Sequence, residues 1–168
     1  MILTTAVLAA HMTTVVLVRH AERTGALIDP GLTSAGFARA DALAKETAGL
    51  HLNGVIVTDT KRTQETAAPS AREHHLTPVE VDKDDVQGAV AAIQRLPRSG
   101  AILVVSHNNK VGPIIEALGG PSVPDLCDEQ FSTMYVLELP EHGNPRLKMK
   151  TYGAPDPPGA ADCKQEHR

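Results

Sequence analysis

The apolar positions of this chain come in short unbroken runs separated by helix-like stretches. Val15, Val16, Leu17 and Val18 follow one another without a polar residue, and three of the four are β-branched, the pattern of a strand buried on both faces. Similar runs return at residues 55–57 and 101–105, the latter reading as a strand through Ser106, and Val79 and Val81 flank Glu80 in a short third strand after Pro78. Between them lie stretches with helical signals. Thr33 reads as the N-cap of a helix running to about Thr47 and closed by Gly49, and a second helix begins near Lys61. Asp82, Asp84 and Asp85 read as caps for a third over residues 86–96, broken by Pro97, Ser99 and Gly100, and a fourth over 112–118 ends at Gly119-Gly120. Residues 131–139 read as an edge or near-edge strand, with a last strand at 147–151 pairing across the EHGNP turn. No solenoid-type repeat is present.

Strand alternating with helix predicts an α/β fold: a three-layer α/β/α sandwich around a mostly parallel sheet, with ligands held at the carboxyl ends of the strands. That edge is where the charge falls. The first strand ends in Arg19-His20, the fourth in His107, and Arg62 lies in the first turn of the helix after the second. One Arg-His pair after a strand is ordinary surface. Four groups of this kind, from three βα junctions at one edge, instead predict a shared anion site at which helix N-termini assist.

At 168 residues the chain has room for one domain with a substantial core. Aromatic residues make up only 2% and tryptophan is absent, so Val, Leu, Ile and Ala must fill that core. The net charge of −4 offers no basic field for nucleic acid, whereas Arg19, Arg23 and Arg62 make a local cationic pocket on an acidic body, suited to a small anionic substrate. Cys127 and Cys163 show no metal spacing; a disulfide and two separate thiols are both compatible with them, and the reading slightly favours the thiols. Residues 1–13 read as an N-terminal extension or signal remnant, 14–152 as the domain, and 153–168 as a loose tail with no apolar period. The compartment stays open between cytoplasm and periplasm or exterior, depending on whether residues 1–12 derive from a signal peptide. No run approaches the ~18 apolar residues of a membrane span.

These residues resemble the motifs of the histidine phosphatase superfamily, the phosphoglycerate mutase-like family. RHAER at 19–23 is similar to its RHG-type signature with Ala21 for glycine, and LTSAGFARA at 32–40 to its LTxxGxxQA helix. TDTKRTQETA at 58–67 resembles its SxxxRxxxTA segment, and VVSHNN at 104–109 its second-histidine motif. The short span between Arg62 and His107 resembles the compact phosphohistidine-phosphatase-like branch rather than the larger mutases.

The resemblance implies a phosphatase in which His20 attacks phosphorus to form a covalent phosphohistidine that water then hydrolyses. Arg19, Arg62 and His107 would surround the phosphoryl oxygens, the arginines through planar forks and the histidine as a cationic donor. Asn109 is a further candidate donor to substrate, and Glu22 a candidate to brace the arginines; Arg23 is equally compatible with surface. Specificity would lie in residues 22–31 and 119–130. The expected partner is a small anionic phosphorylated substrate, with a phosphoprotein also open, and neither nucleic acid nor a membrane span is expected. No cofactor and no metal is implied, since the eight histidines, His74-His75 among them, lack ligand spacing. A general acid is the missing part: Glu80, Asp82, Asp84 and Asp85 are available and none matches a motif. Without one, substrates with good leaving groups are expected. The alternative function is a catalytically weak phosphate-binding or regulatory module on the same fold.

Overall fold

The computed structural model describes residues 12–163. Its elements are β1 (Met12–Arg19), α1 (Ser34–Thr47), β2 (Leu52–Thr58), α2 (Lys61–Glu73), β3 (Val79–Val81), α3 (Val86–Arg95), β4 (Gly100–Ser106), α4 (Val111–Ala117), β5 (Thr133–Pro140) and β6 (Arg146–Thr151). They form one six-stranded sheet in the order β3-β2-β4-β1-β5-β6.

Alternation within the apolar runs explains the layers. Successive side chains of a strand point to opposite faces, so Val15 and Leu17 join Ile102, Val104 and Ile56 in a core beneath α3 and α4. Val16 and Val18 join Leu103, Val105, Val55 and Val57 in a second core, against Leu43 of α1 and Ala67 and Ala71 of α2. Both faces are therefore covered, and the α/β/α sandwich holds. Thr33 caps α1, its Oγ1 accepting from Gly36 N at 3.1 Å. Of the three aspartates expected to cap α3, only Asp85 does so, accepting from Gly88 N at 2.7 Å.

The sheet is parallel in one part only. β3, β2, β4 and β1 run parallel, whereas β5 and β6 are antiparallel to their neighbours. Connection length is the reason. The turn at residues 141–145 is too short for a crossover and forces an antiparallel hairpin. Residues 118–132 return from the far end of α4 to the carboxyl end of β1, where Met134 pairs with Val18, so β5 can only descend. That returning loop crosses the edge where Arg19 and His20 emerge.

Of the expected loose tail, residues 153–163 are held in place, and residues 164–168 lie outside the described residues. Residues 153–163 lie over that same edge: Asp156 accepts from Phe131 N and Ser132 N at 2.9 and 2.8 Å, and Ala160 is buried. Cys163 is joined to Cys127 in a disulfide with Cα atoms 5.7 Å apart, against the slight preference for free thiols. A sequence separation of 36 residues carries no sign of this pairing. The N-terminal extension reading falls, up to residue 11, outside the described residues. No helix among the described residues is long and apolar enough to cross a membrane.

Candidate active site

β1 and β4 lie side by side with Arg19 in register with Ser106, which delivers both histidines to one place. His20 N donates to Ser106 O at 2.9 Å, and the rings of His20 and His107 stand edge to face with centroids 5.4 Å apart. Arg19, His20, Arg62, His107 and Asn109 all line one open cleft of about 400 Å³. A more apolar cleft of about 390 Å³, lined by Thr13, Leu96 and Pro140, sits at the opposite end of the sheet and gathers no comparable set of titratable groups.

His20 is 4% exposed. Its Nδ1 lies 2.8 Å from the carbonyl of Ala21, an acceptor, so Nδ1 carries the proton and Nε2 keeps its lone pair. Burial above all, and then the neighbouring Arg19, His107 and Arg62, push its pKa down to about 3, so the imidazole is neutral near neutral pH. The Ala21 amide donates to Thr66 Oγ1 at 2.9 Å, and Thr66 Oγ1 donates to Arg62 O at 2.7 Å. These bonds tie the loop bearing His20 to the helix bearing Arg62. From the other side, the Glu22 carbonyl accepts from Thr33 N at 2.9 Å. A Cβ on Gly36 would lie 2.2 Å from that same carbonyl, so α1 approaches this loop only because residue 36 has no side chain.

Arg19 commits one end of its guanidinium to the protein. Nη1 donates to the carbonyls of Cys127, Asp128 and Gln130 at 2.9, 2.8 and 3.2 Å, and the Phe131 ring lies 4.1 Å from the guanidinium carbon. Nε is buried without a partner among the described residues, and so is Nε of Arg62. Buried donors of this kind cost free energy unless an acceptor meets them, and a phosphate would. Burial lowers the pKa of Arg19 to about 10 and lowers that of Arg62; both remain cationic near neutral pH.

His107 has a partner at each ring nitrogen. Arg62 Nη2, which can only donate, lies 3.4 Å from its Nδ1, while Nε2 is 3.0 Å from Thr58 Oγ1. Thr63 Oγ1 gives its proton to the Thr58 and Thr60 carbonyls and so accepts from a neighbouring hydroxyl. The network assigns the proton to Nε2, with Thr58 accepting it. Burial, then Arg62, push the His107 pKa down to about 4, so without an anion this ring is neutral.

Glu22, expected against the pocket arginines, turns away from the cleft. Its carboxylate pairs with Arg39 of α1, Oε1 lying 2.7 Å from Nη2 and 3.0 Å from Nε. Arg39 is 3% exposed and also donates from Nη1 to the Tyr152 and Ala154 carbonyls. This residue stands in the place of the motif's glutamine, and no local sequence signal marks its role. Arg23, left open between pocket and surface, proves to line the cleft, as does Asn108 of the second-histidine motif; Lys83, Lys110 and Asp128, which no motif marks, line it too. Of the four candidate acids only Asp84 reaches it. Glu80 accepts from Gln64, Asp82 from the Asp84 amide, and Asp85 caps α3. Asp84 is paired with Lys83 and with Lys110 at 3.2 Å; hydrogen bonds from these two lysines hold its pKa below the usual carboxylate value. Among the described residues no three of His, Cys, Asp and Glu group into a metal site.

The family model of the histidine phosphatase superfamily (branch 1) matches residues 15–85. Among solved structures, the protein histidine phosphatase SixA complexed with tungstate is 21% identical, over 82% of this chain and 96% of that one, at a TM-score of 0.67. A putative phosphohistidine phosphatase SixA from Nakamurella multipartitia is 22% identical over 86% and 99%, at 0.60. A putative alpha-ribazole-5'-P phosphatase from Escherichia coli is 15% identical over 84% and 96%, at 0.61. Among curated protein sequences nothing matches.

Proposed function

We propose, for a chain that carries the sequence signature and the fold of the histidine phosphatase superfamily, that it is a phosphatase working through a phosphohistidine on His20. The observation that carries this reading is the Nδ1 bond to the Ala21 carbonyl, which leaves Nε2 as an unprotonated nucleophile in a cleft walled by Arg19, Arg62 and His107. In the first step Nε2 attacks phosphorus, the P–N bond forms, and the bond to the leaving oxygen or nitrogen breaks. In the second, water attacks phosphorus and one of its protons passes to a phosphoryl oxygen, the P–N bond breaks with its electrons returning to Nε2, and inorganic phosphate departs. The guanidinium groups offset charge on the phosphoryl oxygens in both steps, and a bound dianion raises the His107 pKa towards protonation.

Asp84, held as a carboxylate by two lysines, is a poor proton donor. The substrates that fit are therefore those whose leaving group needs no acid from the protein: aryl phosphates, acyl phosphates or phosphohistidine, free or on a protein. A series of phenyl phosphates of graded leaving-group pKa tests this. A kcat/KM that falls steeply as that pKa rises supports the reading, and a flat series contradicts it. His20→Ala should abolish release. Phosphate binding without turnover would instead favour a binding module.

A further inference from the structure

The Nη1 end of Arg19 points not at the cleft but at a single turn. It has two hydrogens, and three carbonyls of residues 127–130 surround it. The turn is closed by Gln130 N donating to Cys127 O at 2.9 Å and by Cys127 N donating to Gln130 Oε1 at 2.8 Å. Engaging Nη1 there leaves the Nε–Nη2 edge uncommitted, and that edge suits a bidentate bond to phosphate.

What holds the turn comes from the far end of the chain. At residue 127 it is bonded to Cys163. Just beyond it, Phe131 N, Ser132 N and Ser132 Oγ all donate to the Asp156 carboxylate, at 2.9, 2.8 and 2.7 Å. Phe131 is the ring against which the guanidinium lies. Cys127 is buried, whereas Cys163 is exposed, so a thiol reductant can reach the bridge from the tail side.

We propose that the Cys127–Cys163 disulfide and Asp156 are positioning residues for Arg19, holding the 127–132 segment so that the guanidinium presents its free edge to the phosphoryl group. This rests on reading the cleft as a phosphate site. It makes phosphate affinity sensitive to the redox state of a bond that touches no substrate. Reduction consumes two electrons and two protons from a dithiol such as dithiothreitol, which leaves as its cyclic disulfide, and yields two thiols.

The test is inorganic phosphate binding by calorimetry, read in the full chain for wild type and Cys163→Ser, each in the Arg19 and Arg19→Ala backgrounds. Small displacements of a binding group cost affinity steeply, so Cys163→Ser and dithiothreitol-treated wild type should each bind phosphate about tenfold more weakly. Dithiothreitol should do nothing further to Cys163→Ser. In the Arg19→Ala background the same substitution should change affinity less than about twofold, because the residue through which it acts is gone. Wild-type affinity in Cys163→Ser, or an equal loss in the Arg19→Ala background, overturns the proposal, the second outcome showing general loosening instead. Should circular dichroism show Cys163→Ser unfolded, Asp156→Asn replaces it under the same two criteria. A folded wild type that binds no phosphate removes the reading beneath this one. Binding that ignores the disulfide removes this inference alone.

Discussion

Two histidines kept neutral by burial should make the fold sensitive to acid. The His20 pKa lies at about 3 and that of His107 at about 4, against about 6.5 in an unfolded chain. Between these values the unfolded state binds more protons than the folded one, so stability rises with pH there. The contribution is present above the unfolded value and is lost as pH falls from about 6.5 towards 4 and then 3. At about pH 4.5 each ring withholds nearly two pKa units of protonation, roughly 2.5 kcal/mol apiece and about 5 kcal/mol together as an upper figure. Urea unfolding near pH 7 and near pH 4.5 measures this, with His20→Gln/His107→Gln as the reference for all other titrating groups. Wild type should lose on the order of 3–5 kcal/mol more than the double variant across that interval. Saturating phosphate should reduce the difference at the acid end, since an anion supplies the partner that protonated rings require. Equal losses in the two proteins would refute the reasoning, because neither ring would then be held neutral by the fold.

Other expectations follow from the residues around the cleft. Arg39→Met leaves the part-buried Glu22 carboxylate without its buried partner on α1, and thermal or urea unfolding should show a loss of up to about 3 kcal/mol, partly recovered by adding Glu22→Gln. Thr58→Val removes the acceptor for His107 Nε2–H; the unsatisfied donor is worth ~1–3 kcal/mol, so kcat/KM on 4-nitrophenyl phosphate should fall about tenfold or more, with recovery in Thr58→Ser. Gly36→Ala drives a methyl into the Glu22 carbonyl and should cost about 1–3 kcal/mol of stability, read as a lowered unfolding midpoint in urea. Arg62→Ala, if folded, should lower kcat by about 10²–10³, and a loss below tenfold would place Arg62 outside the chemistry.

The parallel half of the fold and the four residues at its edge were legible because each is encoded locally. An apolar run that stops at Arg19-His20, a Thr33 cap and a strand ending at His107 are statements about a few adjacent residues. What escaped depends on partners far away in the chain. Nothing adjacent to Arg39 in the sequence marks its role, which depends on Glu22, Tyr152 and Ala154 being brought to it. Glu22 reads as a neighbour of Arg19 and Arg23 because it is adjacent in sequence, yet the chain turns after His20 and sends its carboxylate to α1. The tail lacks apolar periodicity and so reads as loose, but a disulfide and one aspartate hold it without needing any. Asp84 could not be chosen among its neighbours by spacing, since capping geometry removes Asp85 and the pairing with Lys83 and Lys110 defines what Asp84 can do.

The most direct measurement is of which atom carries phosphorus during turnover. Rapid quench of the wild-type protein with a labelled aryl phosphate, followed by peptide mapping and phosphorus NMR of the trapped species, should find acid-labile phosphate on Nε2 of His20. It should be absent from His20→Ala and reach a limiting stoichiometry of about one per chain when formation outruns hydrolysis. Phosphate on His107, on Nδ1 of His20, or released at full rate from His20→Ala would contradict the account.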